Sequence, residues 1–154
     1  MDRADAQAWL DRYVAAWLSY DANDIAALFA EDVAYRYHPS DDPTVGRKAV
    51  VAAWLGEANS NAASTRDAPG TYAAQYRPVA IDGDVVVATG TSSYRERSDG
   101  PIVRIYDNCF VMRFDADGNC REFTEYYVRR QEAYSDEGKR LTTASDGREM
   151  TAGF

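Results

Sequence analysis

A chain of 154 residues with 45% hydrophobic content is long enough to bury one sizeable core, and no second domain is expected. Its 17 basic and 25 acidic side chains leave a net charge of −8, which repels phosphate backbones and anionic lipid and argues against nucleic acid and membrane as partners. The apolar runs are short, and Met1-Asp-Arg-Ala-Asp-Ala6 lacks the basic-then-apolar order of a signal peptide, so the expected location is cytoplasmic.

Trp9, Tyr13, Ala16, Trp17 and Tyr20 recur at helical spacing and predict an amphipathic helix over residues 5–20 with an aromatic side. Asp21 or Asn23 caps a short second helix, whose apolar side of Ile25, Leu28 and Phe29 stops at Glu31-Asp32. Alternation through Val33, Tyr35 and Tyr37 then predicts a strand over 32–38, ended by Pro39 and Pro43 ahead of Gly46. Val50, Val51, Trp54 and Leu55 mark the buried side of a third helix from Gly46 to about Asn59, followed by a fraying loop from Asn59 to Thr65.

From residue 71 the pattern turns to strands: Thr71 to Ile81, Val85 to about Glu96, Ile102 to Phe114 and Cys120 to Arg130. Asp82-Gly83 is a hairpin signal, because both residues tolerate positive φ. Helices first and antiparallel strands second make an α+β arrangement in which the helices close one face of a curved sheet. Residues 131–154, rich in Ser, Thr, Asp, Glu and Gly, read as a polar tail that wraps the surface of the 1–130 domain or stays mobile.

Three parts of the chain carry a family resemblance: Arg12-Tyr-Val-Ala-Ala-Trp17, the Phe29 to Val50 block with Gly46-Arg47, and Phe114-Asp-Ala-Asp-Gly-Asn119 through Phe123-Thr-Glu-Tyr-Tyr127. Over about residues 5–130 the chain resembles the SnoaL-like branch of the nuclear transport factor 2-like superfamily, which includes ketosteroid isomerases, limonene epoxide hydrolases and polyketide cyclases. The resemblance implies a cone-shaped α+β barrel, three N-terminal helices packed on a curved, mixed but mostly antiparallel sheet, and a homodimer. It does not imply one reaction, since one fold hosts many chemistries. Tyr35 and Glu125 stand where the epoxide hydrolases have a Tyr and one catalytic Asp. Tyr37 replaces their Asn, and Thr91 and Ser93 fall where their Arg and second Asp belong. Tyr13 matches the oxyanion-hole Tyr of the isomerases, but His38 stands in place of their basic Asp and Phe110 in place of their acidic donor.

Counting back from the turn Asp115-Ala-Asp-Gly118 predicts Phe110 opposite Phe123, Asn108 opposite Glu125 and Tyr106 opposite Tyr127 on one sheet face. The same register keeps Cys109 and Cys120 apart, so two free thiols are expected and no disulfide. Counting from Asp82-Gly83 predicts Tyr76 opposite Thr89 and Tyr72 opposite Ser93, on the face of Thr91. The family alignment turns that face inward. The expected cavity is therefore lined by Tyr35, Tyr37, Trp54, Tyr72, Tyr76, Thr91, Tyr106, Phe110, Phe123 and Tyr127, with Trp17 and Tyr13 from the first helix. Rings with hydroxyl tips suit a small hydrophobic or aromatic ligand carrying a few oxygens.

Glu125, among aromatic side chains, is the expected general acid or base, because desolvation raises a carboxyl pKa toward neutrality. Asn108 would orient it, His38 beside Asp41-Asp42 would shuttle protons at the mouth, and Tyr13 would donate to an oxyanion. The competing structural role is a Glu125 carboxylate paired with Arg104 or Arg129. A lone His with no Cys pair at ligand spacing argues against a metal, and no Gly-rich phosphate loop follows a strand, so no cofactor is expected. The expectation is a cofactor-independent hydrolase, dehydratase, isomerase or cyclase, or else a non-catalytic binding or assembly module using the same cavity.

Overall fold

The computed structural model describes residues 1–57 and 66–130. Helix α1 (Arg3–Ser19) begins where two aspartates cap one another: the Asp2 carboxylate accepts from the Asp5 amide at 2.8 Å, and that of Asp5 from the Asp2 amide at 3.3 Å. It ends at Tyr20, whose φ of 49° turns the chain left-handed. Asp21 caps α2 (Ala22–Ala26) through the amides of Asn23 and Asp24.

Strand β1 (Phe29–Arg36) starts earlier than local alternation suggests, because Phe29 pairs with the distant Cys120. A two-residue strand β2 (Thr44–Val45), too short to show a pattern, pairs antiparallel with Ala34 and Tyr35. Helix α3 (Arg47–Leu55) stops before the expected Asn59, because Gly56 at φ 67° forms a left-handed C-cap. The predicted fraying loop from Asn59 to Thr65 and the 131–154 tail lie outside the described residues.

The remaining strands are β3 (Tyr72–Asp82), β4 (Val85–Arg95), β5 (Ile102–Phe114) and β6 (Cys120–Arg129). The sheet order is β2-β1-β6-β5-β4-β3, with β1 and β6 parallel and every other pair antiparallel. The outer strands β2 and β3 do not pair, so the sheet stays open, an α+β cone rather than a closed barrel. The Gln7 amide donates to the Tyr76 carbonyl at 3.0 Å and the Trp9 indole to the Leu28 carbonyl at 2.9 Å, which lays α1 across the sheet. Between them sits an aromatic core: Tyr35 stacks on Phe123 at 4.7 Å and Tyr13 on the same ring at 5.5 Å. Each such buried ring contributes roughly 1.5–3 kcal/mol.

Two register expectations are corrected. In the β5–β6 hairpin Phe114 pairs with Cys120 and, after a bulge at Arg121, Arg113 with Glu122. Each step displaces the ladder by one residue, so Phe110 faces Glu125 and Asn108 faces Tyr127. Two displacements preserve the face. In the β3–β4 hairpin the loop is Gly83-Asp84, with Asp82 opposite Val85, and Val79 is an extra residue between Pro78 and Ala80. The net displacement there is odd, which flips the face of β4. Thr91 therefore pairs with Gln75 on the exposed outer side, and Ser92 and Tyr94 turn inward instead. Cys109 and Cys120 are both free thiols.

Candidate functional site

A cavity of about 310 Å³ opens on the inner side of the sheet. Helix α1 supplies Tyr13 and Trp17, the segment just after β1 Tyr37, the loop before β3 Asp67, and β3 Tyr72 and Tyr76. Ser92 and Tyr94 come from β4, Arg104, Tyr106 and Asn108 from β5, and Glu125 and Tyr127 from β6. Four residues expected as lining, Tyr35, Trp54, Phe110 and Phe123, are at most 1% exposed and form the packed layer beneath it. Thr91 is outside. His38 stands at the rim, touching the cavity only through Tyr127.

The polar centre is a short chain of hydrogen bonds on the sheet. The Ser92 hydroxyl donates to Asn108 Oδ1 at 3.1 Å, and Asn108 Nδ2 donates to Glu125 Oε1 at 2.7 Å. Asn108 and Glu125 are diagonal across the β5–β6 ladder, a spacing that an amide and a carboxyl bridge easily. No described Lys or Arg forms an ion pair with Glu125. Arg104, expected as a partner, lies over the Tyr94 ring at 4.6 Å. Burial pushes the Glu125 carboxyl up to about 7, against the Asn108 hydrogen bond and the His38 charge, which both lower it.

The phenols around it are held neutral. Burial raises Tyr13, Tyr35, Tyr37 and Tyr72 above the ordinary phenol range, and brings Tyr76 to about 12. Tyr13 and Tyr35 share a long hydroxyl contact of 3.4 Å, as do Tyr72 and Tyr76. The Tyr37 hydroxyl is buried and has no hydrogen-bond partner among the described residues. A neutral, unpartnered donor beside a cavity is ready for a ligand oxygen.

Sequence reasoning missed Asp67, Ser92 and Tyr94 in this wall, and gave Arg104 only as a partner for Glu125. Burial raises the Asp67 carboxyl, while the Trp17 indole at 3.2 Å and Arg104 lower it. Pro78 within a strand was the available signal for the β3 bulge, and with it for Ser92 and Tyr94. Asp67 lies in a loop with no periodicity to place it. Among the described residues no cluster of three or more His, Cys, Asp or Glu is arranged for a metal, and no helix is long and apolar enough to cross a membrane.

Helices closing one face of an open mixed sheet over an aromatic cavity define a pocket protein of the cone-shaped α+β class. The family model described as the SnoaL-like domain matches residues 10–123, and the chain belongs to that family. In fold it is similar to a solved NTF-2 like protein of unknown function from Burkholderia xenovorans LB400, at 17% identity and a TM-score of 0.58, over 84% of this chain and 88% of that one. It is also similar to an LEH-like epoxide hydrolase of M. tuberculosis, at 15% identity and a TM-score of 0.55, over 82% of this chain and 84% of that one. At these identities the likeness shows the fold alone. Among curated proteins none matches the chain in sequence.

Proposed function

We propose that the protein is a cofactor-independent acid–base enzyme acting on a small hydrophobic, oxygenated metabolite, by hydrolysis, dehydration, isomerisation or ring closure. The observation that carries this reading is Glu125: a carboxyl with no cationic side chain pairing it among the described residues, facing a cavity, and raised to about 7 by burial. Such a group exchanges a proton readily near neutrality. Asn108 holds Oε1, and no described residue bonds Oε2. Glu125 would take a proton from substrate or water, and the Tyr37 hydroxyl would donate to the oxygen on which charge develops.

A carbon-13 titration of the Glu125 carboxyl, assigned by comparison with Glu125→Gln, tests the reading in the ligand-free protein. The expected midpoint is about 7. In Asn108→Leu the hydrogen bond that favours the charged form is gone, so the midpoint is expected to rise further. A midpoint at the ordinary carboxylate value sinks the acid–base assignment and favours a binding module built on the same cavity.

A second copy of the chain is the partner we propose for the outer sheet face, where Val111, Tyr126 and Val128 are 38%, 46% and 70% exposed. Sedimentation is expected to give twice the 17.1 kDa chain mass, and Val128→Lys to reduce it. A mass of one chain at every concentration contradicts the dimer.

A further inference from the structure

His38 is the sole histidine of the chain, and both of its ring nitrogens are engaged. Nδ1 lies 3.0 Å from Asp41 Oδ2, and the same oxygen accepts from the His38 backbone amide at 3.1 Å. That carboxylate therefore fixes the ring and the main chain together. On the other side Nε2 is 2.6 Å from the Tyr127 hydroxyl, across 89 residues of sequence. Tyr127 follows Glu125 by two positions on β6, so both project from one face, and both line the cavity.

A carboxylate at Nδ1 can only accept, so the neutral imidazole carries its hydrogen there and leaves Nε2 to accept from the Tyr127 O–H. The contact is short for a neutral hydrogen bond. The charged and titratable groups around the pair are Asp41 from the loop after β1, Glu125 from β6 and Tyr106 from β5. None of them is a cation that would compete for the carboxylate.

We infer that Asp41, His38 and Tyr127 form a proton relay, in which Tyr127 is a second acid–base residue of the cavity and His38, oriented by Asp41, exchanges its proton with solvent. The inference rests on the reading of Glu125 as the other proton carrier. In one direction the Tyr127 oxygen takes a proton from the ligand while its own hydroxyl proton passes to His38 Nε2. One proton has then moved from ligand to imidazole, Tyr127 is neutral again, and the imidazolium faces the Asp41 carboxylate. The reverse transfer delivers a proton to a ligand oxygen while Glu125 removes one elsewhere. Within the relay itself only O–H and N–H bonds change. His38 and Asp41 are positioning and relay residues, since neither lines the cavity.

A single histidine gives one set of imidazole resonances, so two-bond proton–nitrogen spectra of the ligand-free protein read the relay directly. The wild-type chain is expected to show the Nδ1–H tautomer, with a hydrogen-bonded Nε2 whose shift changes in Tyr127→Phe. Asp41→Asn is expected to lose the tautomer preference. A dominant Nε2–H tautomer, or an Nε2 shift unmoved by Tyr127→Phe, overturns the relay. The probe para-nitrophenol, followed by its absorbance, reads the transfer itself: the bound probe is expected to ionise about one pH unit lower in wild type than in His38→Gln or Tyr127→Phe, a tenfold change in proton affinity. Equal midpoints in the three chains, or no binding by wild type, overturn the ligand-facing role of Tyr127. The Glu125 carboxyl titration on the same samples separates the two ideas. A raised Glu125 beside a His38 indifferent to Tyr127 overturns the relay alone, whereas an ordinary Glu125 beside an intact His38–Tyr127 bond overturns the base and supports the relay.

Discussion

Glu125→Gln is expected to stabilise the folded protein at about pH 8 by about 2–3 kcal/mol while lowering turnover of a cognate substrate by about 10²–10⁴-fold. The sign follows from proton counting. The carboxyl titrates at 4.5 in its ordinary setting and about 7 in the folded chain, chiefly because it is desolvated. Between those values the folded state holds a proton that the unfolded state has released. Stability therefore falls as pH rises through that window and is level above it. At about 1.4 kcal/mol per unit, the ionised, buried Glu125 costs the fold roughly 3 kcal/mol at alkaline pH and nothing at about pH 4.

The amide of the Gln variant has no charge to desolvate and still offers an oxygen to Asn108 Nδ2, so the gain is expected at high pH and should vanish in acid. Urea unfolding of both chains at the two pH values measures it without any substrate. Equal differences at both pH values would mean that Glu125 is solvated, and unchanged turnover would remove it from the chemistry. A residue that weakens the fold at the pH where it works is the expected signature of a functional carboxyl.

The order of elements was legible because each rests on a local pattern. The Trp9, Tyr13 and Trp17 spacing, the alternation through Val33 and Tyr35, and the Asp82-Gly83 signal are all contained within a few residues. What failed depended on partners far along the chain. The start of β1 is fixed by Cys120, and the two residues of β2 have meaning only against Ala34 and Tyr35.

Parity decided which site residues could be read. The turn and the Arg121 bulge displaced β6 by two positions, so Glu125 and Asn108 stayed on the cavity side and became diagonal neighbours. In the β3–β4 hairpin one bulge at Val79 left an odd displacement, and Thr91 was exchanged for Ser92 and Tyr94. Depth was not legible either: Tyr35 and Tyr37 share one side of the alternating pattern, yet Tyr35 is packed against Phe123 while Tyr37, just past the end of β1, lines the cavity.

Gly90→Ala is expected to destabilise the protein by about 3 kcal/mol, although it adds a single methyl group. Gly90 stands opposite Tyr76 in the β3–β4 ladder. A Cβ there would lie 2.0 Å from the Gln75 carbonyl oxygen, 2.6 Å from Tyr76 Cδ1 and 2.8 Å from Tyr76 Cα. Two of these atoms are backbone and cannot swing aside, so β3 must move away from β4. The ring of Tyr76, now 4.5 Å from Phe110, would be lifted from the cavity wall with it.

Gly83→Ala supplies the comparison. At φ 60° that position strains an alanine, but a Cβ there meets nothing within 4 Å, so the expected cost is only about 1 kcal/mol. Urea midpoints should fall in both variants with unchanged slope, and farther in Gly90→Ala. A Gly90→Ala chain no less stable than Gly83→Ala would show that the close approach of β3 to β4 does not hold in solution. The placement of the cavity wall would then come into question with it, because Tyr72 and Tyr76 both project into the cavity from β3.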